Sequence, residues 1–143
     1  MRPRVAMLNH ARCTAAKEQL CFQYAKTSDI LWQDAQHQTL FAILDLIAQP
    51  DSGADVVRHL HDYAESHFAL EEHYMTALAY PERSAHIAAH DQFREEIASL
   101  LEQEEDDAAF RAVVATFLTE WLRRHVFGID KTLEAFILAS ERK

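Results

Sequence analysis

Five histidines and two carboxylates in this chain fall at spacings that suit a metal ion. His67 and Glu71 are four residues apart, so on a helix they stack one turn above the other. His86 and His90 repeat that spacing, His125 and Asp130 close the series, and His37 stands upstream where an apolar-periodic segment begins. Taken singly, each histidine reads as an ordinary core or surface residue. Together they coincide with the apolar stripes of four successive predicted helices. Burying two ionised carboxylates without partners would cost several kcal/mol. A bound cation removes that cost, because every one of these groups is a ligand when deprotonated. The other four histidines, His10, His59, His61 and His73, have no matching inward partners and read as solvated.

Ligand type narrows the metal. The two cysteines, Cys13 and Cys21, lie outside the series and form no CxxC pair, so they read as reduced thiols and a Cys-rich zinc site is excluded. HExxH is absent, and no histidine has a glutamate three residues before it, as the ExxH di-iron proteins require. Imidazole combined with carboxylate suits iron, and seven side chains are too many for one ion. Two irons bridged by the carboxylates is the arrangement these residues favour.

The elements that must present these groups are helices. Residues 1–30 carry only a weak pattern and are expected to form an N-terminal extension or arm, with residues 31–143 as a single bundle. From Trp32 onward His37, Leu40, Phe41, Leu44 and Ile47 recur at helical spacing, until Pro50-Asp51-Ser52-Gly53 stops the helix. Ser52 and Asp55 resemble a capping box for the next helix. That helix carries Val56, Leu60, Tyr63, His67, Leu70, Glu71, Tyr74 and Leu78 on one face, and Tyr80-Pro81 is expected to end it. A third helix runs from about Glu82 to Glu105 with His86, His90, Phe93 and Ile97 inward. Asp106 or Asp107 is a candidate cap for a fourth, whose stripe reads Phe110, Val113 or Val114, Phe117, Trp121 or Leu122, and His125. Five residues of ideal helix turn a side chain by about 140°, so His125 and Asp130 share a face only if the helix bends or breaks near Gly128. Leu133, Phe136 and Ile137 then form a short closing helix. The expected fold is all-α, an antiparallel up-down-up-down four-helix bundle.

Composition fits this. The 143 residues suffice for one domain, with 2 glycines, 3 prolines and a net charge of −9. An acidic chain argues against nucleic acid and anionic membrane as partners. With no long apolar run and no signal-like start, a cytoplasmic location is expected.

The strings Asp34-Ala35-Gln36-His37, His67-Phe68-Ala69-Leu70-Glu71-Glu72, Tyr80-Pro81, His86-x3-His90 and Trp121-Leu122-x2-His125-x4-Asp130 together resemble a bacterial hemerythrin, over about residues 30–138. The resemblance implies that His86, His90 and His125 hold one iron and that His37 and His67 hold the other. Glu71, Asp130 and an oxo or hydroxo group would bridge the pair of Fe2+/Fe3+ ions. It further implies a dry pocket of Phe68, Trp121, Leu122 and Val126 around the iron with fewer ligands, where dioxygen, or azide in the diferric state, binds. Two departures stand out. Gln33 lies four residues before His37, where the family usually has an apolar residue, and the family's N-terminal tryptophan has Phe22 as its nearest counterpart. Neither departure is expected to touch the ligands.

The function expected from this site is reversible dioxygen binding by a carrier, store or supplier. No group is placed as a general acid or base, so no enzymatic turnover is expected. The alternative is an oxygen- or redox-sensing input to a fused or partner signalling domain, such as a diguanylate cyclase or chemotaxis receptor.

Overall fold

Four long helices form where the apolar period is longest, and their order carries the ligand residues to one end of a bundle. The computed structural model describes residues 25–102 and 108–141. Helix α1 is Leu31–Ile47, α2 Ala54–Ala77, α3 Arg83–Leu101 and α4 Ala108–Arg124. A π-helical turn, His125–Ile129, joins α4 to α5, Asp130–Glu141. Helix α1 packs beside α2 and α4, and α3 beside α2 and α4. His37 lies near the start of α1, His67 and Glu71 toward the end of α2, His86 and His90 at the start of α3, and His125 at the end of α4. Only alternating helix directions bring those four positions to one level. The architecture is an all-α bundle with a C-terminal helix, and among the described residues no helix is long and apolar enough to cross a membrane.

The core has two parts. A large cluster built on Leu40, Phe41, Leu44, Leu60, Phe68, Phe93, Ile97, Leu118 and Leu122 fills most of the bundle. A smaller one, Ile30, Met75, Tyr80, Leu133 and Ile137, closes the ligand end. Helices α1, α2 and α3 touch both clusters, α4 packs on the large one and α5 on the small one, and the polar layer between the clusters holds the seven candidate ligands. The two clusters therefore seal it from both sides.

Several local expectations need correction. Ser52 does not cap α2: Gly53 is the N-cap without a side-chain bond, while Ser52 Oγ donates to Ile47 O at 2.9 Å. Its carbonyl accepts from Arg111 at 2.6 Å, so the residue ties the α1–α2 turn to α4 instead. On α2 the buried face is Val57, Leu60, Ala64, His67, Phe68, Glu71 and Met75, whereas Val56, Tyr63, Leu70, Tyr74 and Leu78 are only half-buried. On α4, Arg111, Ala115, Leu118, Thr119 and Leu122 point inward, while Phe110, Val113 and Phe117 are exposed. Both helices carry apolar residues on more than one face, so periodicity alone could not select the packed one.

Helix α2 also ends before Tyr80-Pro81. Tyr80 N–H donates to Met75 O at 2.9 Å and Ala79 N–H to Thr76 O at 3.3 Å, with Ala79 at φ 53°. This is a Schellman stop with alanine in the left-handed position that glycine usually takes. Helix α3 ends at Leu101, and the expected caps Asp106 and Asp107 lie outside the described residues, as do Cys13, Cys21, Phe22 and His10.

Candidate metal centre

The break expected at Gly128 is a widened turn. Asp130 N–H donates to His125 O, an i→i−5 bond that adds one residue to the turn without interrupting the helix. The extra residue cancels the rotation that an ideal helix would impose. Asp130 thereby returns to the face of His125, with Oδ1 3.1 Å from His125 Nε2.

All seven candidate side chains converge, each 3% exposed or less. They form two overlapping groups, one of Glu71, His86, His90, His125 and Asp130, the other of His37, His67, Glu71 and Asp130. The carboxylates belong to both groups, one oxygen to each. Glu71 Oε1 lies 3.4 Å from His86 Nε2 and 3.1 Å from His90 Nε2, whereas Oε2 lies 3.4 Å from His67 Nε2 and 3.7 Å from His37 Nε2. Asp130 Oδ1 sits 3.0 Å from His86 Nε2, and Oδ2 sits 3.1 Å from His37 Nε2.

Those distances are short, yet only His90 Nε2 and Glu71 Oε1, 3.1 Å apart, form a hydrogen bond. The Nε2 atoms of His37, His86 and His125 and both Asp130 oxygens are buried without a hydrogen-bond partner among the described residues. Carboxylates and imidazoles packed this closely out of water need a positive charge among them, and a cation is what this donor set fits.

The titration behaviour of the metal-free layer has the same origin. Burial opposes a charge on His37 and His86, but the Asp130 and Glu71 carboxylates outweigh it and lift both rings to about 9. Burial dominates at His67 and pushes it down to about 4. Burial also pushes Glu71 up, yet the surrounding imidazoles, His67 foremost, hold it well below the usual carboxylate range. For Asp130, burial and the Glu71 charge act upward, and His125 and His37 overcome them.

A second layer orients the rings. Thr27 Oγ1 lies 2.9 Å from His37 Nδ1 and donates to Asp34 Oδ1 at 2.9 Å, leaving its lone pair for the ring N–H. Gln36 Oε1 accepts from His67 Nδ1 at 2.7 Å, and Glu72 Oε2 accepts from His90 Nδ1 at 2.8 Å. Arg94 braces Glu72 at 3.1 Å. Each bond places the ring hydrogen on Nδ1 and frees Nε2 to bind metal.

The expected pocket residues adjoin this layer. Phe68 stacks on His90 at 3.9 Å between ring centroids, and Trp121 stacks on His125 at 4.8 Å. Leu122 and Val126, flanking His125 on the same stretch, are buried in the large cluster. Trp121 is half-buried, its indole N–H donating to Gln92 Oε1 at 3.2 Å. As for the remaining histidines, His59 and His73 are exposed and His61 pairs with Asp62 at 3.0 Å.

Thr27, Ser28, Gln33, Gln36 and Glu72 were not singled out from sequence as working residues. Gln33 in particular does touch a ligand: its Nε2 donates to Glu71 Oε2 at 2.8 Å. The available signal was a polar residue on an otherwise apolar stripe of α1. Residues Thr27–Ile30, assigned to the arm by pattern, lie against the bundle, where Asp29 N–H donates to Glu134 Oε2 at 3.2 Å.

A helical bundle with a sealed histidine–carboxylate layer defines a class of metal-binding protein. The Hemerythrin HHE cation binding domain profile matches residues 28–137, and the chain belongs to that family. It is 26% identical to a bacteriohemerythrin of Clostridium acetobutylicum over 110 residues, covering 68% of this chain and 85% of the relative. A bacteriohemerythrin of Stenotrophomonas maltophilia is 28% identical over 104 residues, 68% of each chain. A hemerythrin-like protein of Naegleria gruberi is 27% identical over 95 residues, 66% of this chain and 74% of the relative. No solved structure gives a significant match.

Proposed function

We infer that this chain binds dioxygen reversibly at a pair of non-haem irons, as a carrier, store or supplier. The observation that carries the reading is the pair of ligand groups sharing Glu71 and Asp130. His86, His90 and His125 with one oxygen of each carboxylate would offer five protein donors to one ion. His37 and His67 with the other two oxygens would offer four to the second, which would leave it more room for a small ligand. When bound, such an iron pair supplies two electrons to dioxygen and takes them back on release.

The chain's own residues do the rest. Thr27 and Gln36 hold the two rings of the open side in fixed planes. Phe68, Leu122 and Val126 are fully or almost fully buried, and their apolar surfaces keep water and its protons from the layer. Thr27, Gln33, Gln36 and Glu72 are each engaged with a ligand, which leaves none of them to move protons for a substrate. Binding without turnover is the chemistry this supports.

The test is an oxygenation cycle. Reduced, iron-loaded protein should change its visible absorption when exposed to dioxygen and recover the starting spectrum under argon. Irreversible oxidation in the first cycle, with no recovery under argon, would overturn reversible binding.

A further inference from the structure

Gln33 lies one turn before His37 on α1 and is fully buried. Two hydrogen bonds fix it, and a third orients Ser28. Ile30 N–H donates to Ser28 Oγ at 3.0 Å, Ser28 Oγ donates to Gln33 Oε1 at 2.7 Å, and Gln33 Nε2 donates to Glu71 Oε2 at 2.8 Å. The orientation of the amide follows from chemistry. An ionised carboxylate only accepts, so the edge facing Glu71 must be the NH2. Ser28 already accepts from Ile30, so its hydrogen is available for the amide oxygen.

The bond reaches only one oxygen of Glu71. Oε2 is the one nearer His37 and His67, whereas Oε1 faces His86 and His90. We propose that Gln33 is a positioning residue that weakens Glu71 as a ligand to the ion held by His37 and His67 and so favours the reduced state of that ion. The inference rests on the two-iron reading above. An N–H donor and a metal ion compete for electron density on the same oxygen. A trivalent ion draws on that density harder than a divalent one, so it loses more to the competition. The oxygen also leaves the reduced ion more readily, which makes the iron of this half the more labile of the two.

The test uses iron-loaded protein carrying Gln33→Met, which keeps the length of the side chain and removes the donor, with Gln33→Leu as a second donor-free variant. Three quantities are read: iron per chain, the rate of ferrous iron transfer to a chelator, and the redox midpoint followed spectroscopically. Wild type should release its two irons in two phases. The variants should keep both irons, slow the faster phase severalfold and leave the slower phase unchanged. Their oxidised-to-reduced ratio at fixed potential should rise about tenfold, or about 59 mV downward in a one-electron couple. Leu44→Ala, buried in the large apolar cluster about two turns from His37, is the control and should lower stability without moving midpoint or release. Wild-type midpoint and release in whichever Gln33 variant folds with two irons would overturn the role of Gln33 and leave the two-iron reading standing. A single iron in wild type would remove both.

Discussion

The two halves of the ligand layer are supported in opposite ways. On the side with two histidines, both rings are held from behind by side chains of this chain, Thr27 at 2.9 Å and Gln36 at 2.7 Å, and Gln33 grips the shared carboxylate. On the side with three, among the described residues only His90 has such a partner, the Glu72–Arg94 pair. His86 Nδ1 and His125 Nδ1 are buried with no protein partner among the described residues. Each of these two residues lines a cavity, of about 230 Å³ beside Tyr80, Glu82 and Thr132 for His86, and of about 320 Å³ beside Gln92, Trp121 and Arg124 for His125. The lesson concerns where rigidity is needed. On the proposed two-iron reading, five protein donors would fix one ion by number alone, whereas four would have to be held in place by their surroundings if one position is to stay open.

Breaking the better-ligated half should have the largest effect. His125→Ala removes a donor and loosens the π turn that presents Asp130, so loss of at least one iron and a lower melting temperature are expected. Metal analysis and thermal melts check this, with exposed His73→Ala changing neither. Unchanged iron and melting temperature would remove His125 from the ligand set.

Leu122→Ala tests the apolar wall. It should cost about 2–5 kcal/mol in denaturant unfolding, as truncations of buried leucine do. Both irons should remain, while azide binding in the diferric state and autoxidation both become faster. Leu44→Ala, equally buried but further along the bundle, should lose stability without the kinetic change. Wild-type autoxidation in both would make Leu122 plain core.

Thr27→Val separates the halves by their second layer. It severs the link from Asp34 to His37 and should weaken one of the two irons about 10–100-fold, the usual cost of losing such a partner. Competition with a chelator should then show one weakened site and one unchanged. Equal weakening of both would contradict the division into halves.

The pH dependence should run in opposite directions with and without metal. His37 and His86 are raised to about 9, so the stability their charges give the metal-free chain is complete below the ordinary value of 6.5 and lost as pH rises through about 9. His67, lowered to about 4, contributes in the other sense: its share is present above 6.5 and lost as pH falls through about 4. Iron must displace the protons on His37 and His86, so affinity should climb from pH 7 to about 9 and level off above it. Proton release into weak buffer during loading at pH 7 measures this directly, and no release would refute the raised values.

Much of this was legible in the sequence. The candidate ligands of α2 and α3 converge as their spacing suggests, because a fixed i,i+4 offset dictates a shared helical face whatever the helix packs against. The bend before Asp130 was legible as a geometric necessity, although its form, a turn with one added residue, was not. The second layer was hidden because Thr27 and Gln36 meet their rings only through the folding of the strap before α1 and the crossing of α1 with α2. Gln33 showed as an anomaly on an apolar stripe, but its target, 38 residues away, is set by tertiary packing. The first half of the α4 face was misread, because Phe110, Val113 and Phe117 form a stripe as regular as the buried one, whereas Leu122 and His125 are buried as expected.

The most direct measurement is the iron content of the purified, iron-replete chain, taken with its absorption spectrum in air. Two irons per chain with the bands of an oxo-bridged diferric pair, nearly colourless on reduction, are expected. One metal per chain, or zinc as the native occupant, would contradict a paired site shared by Glu71 and Asp130.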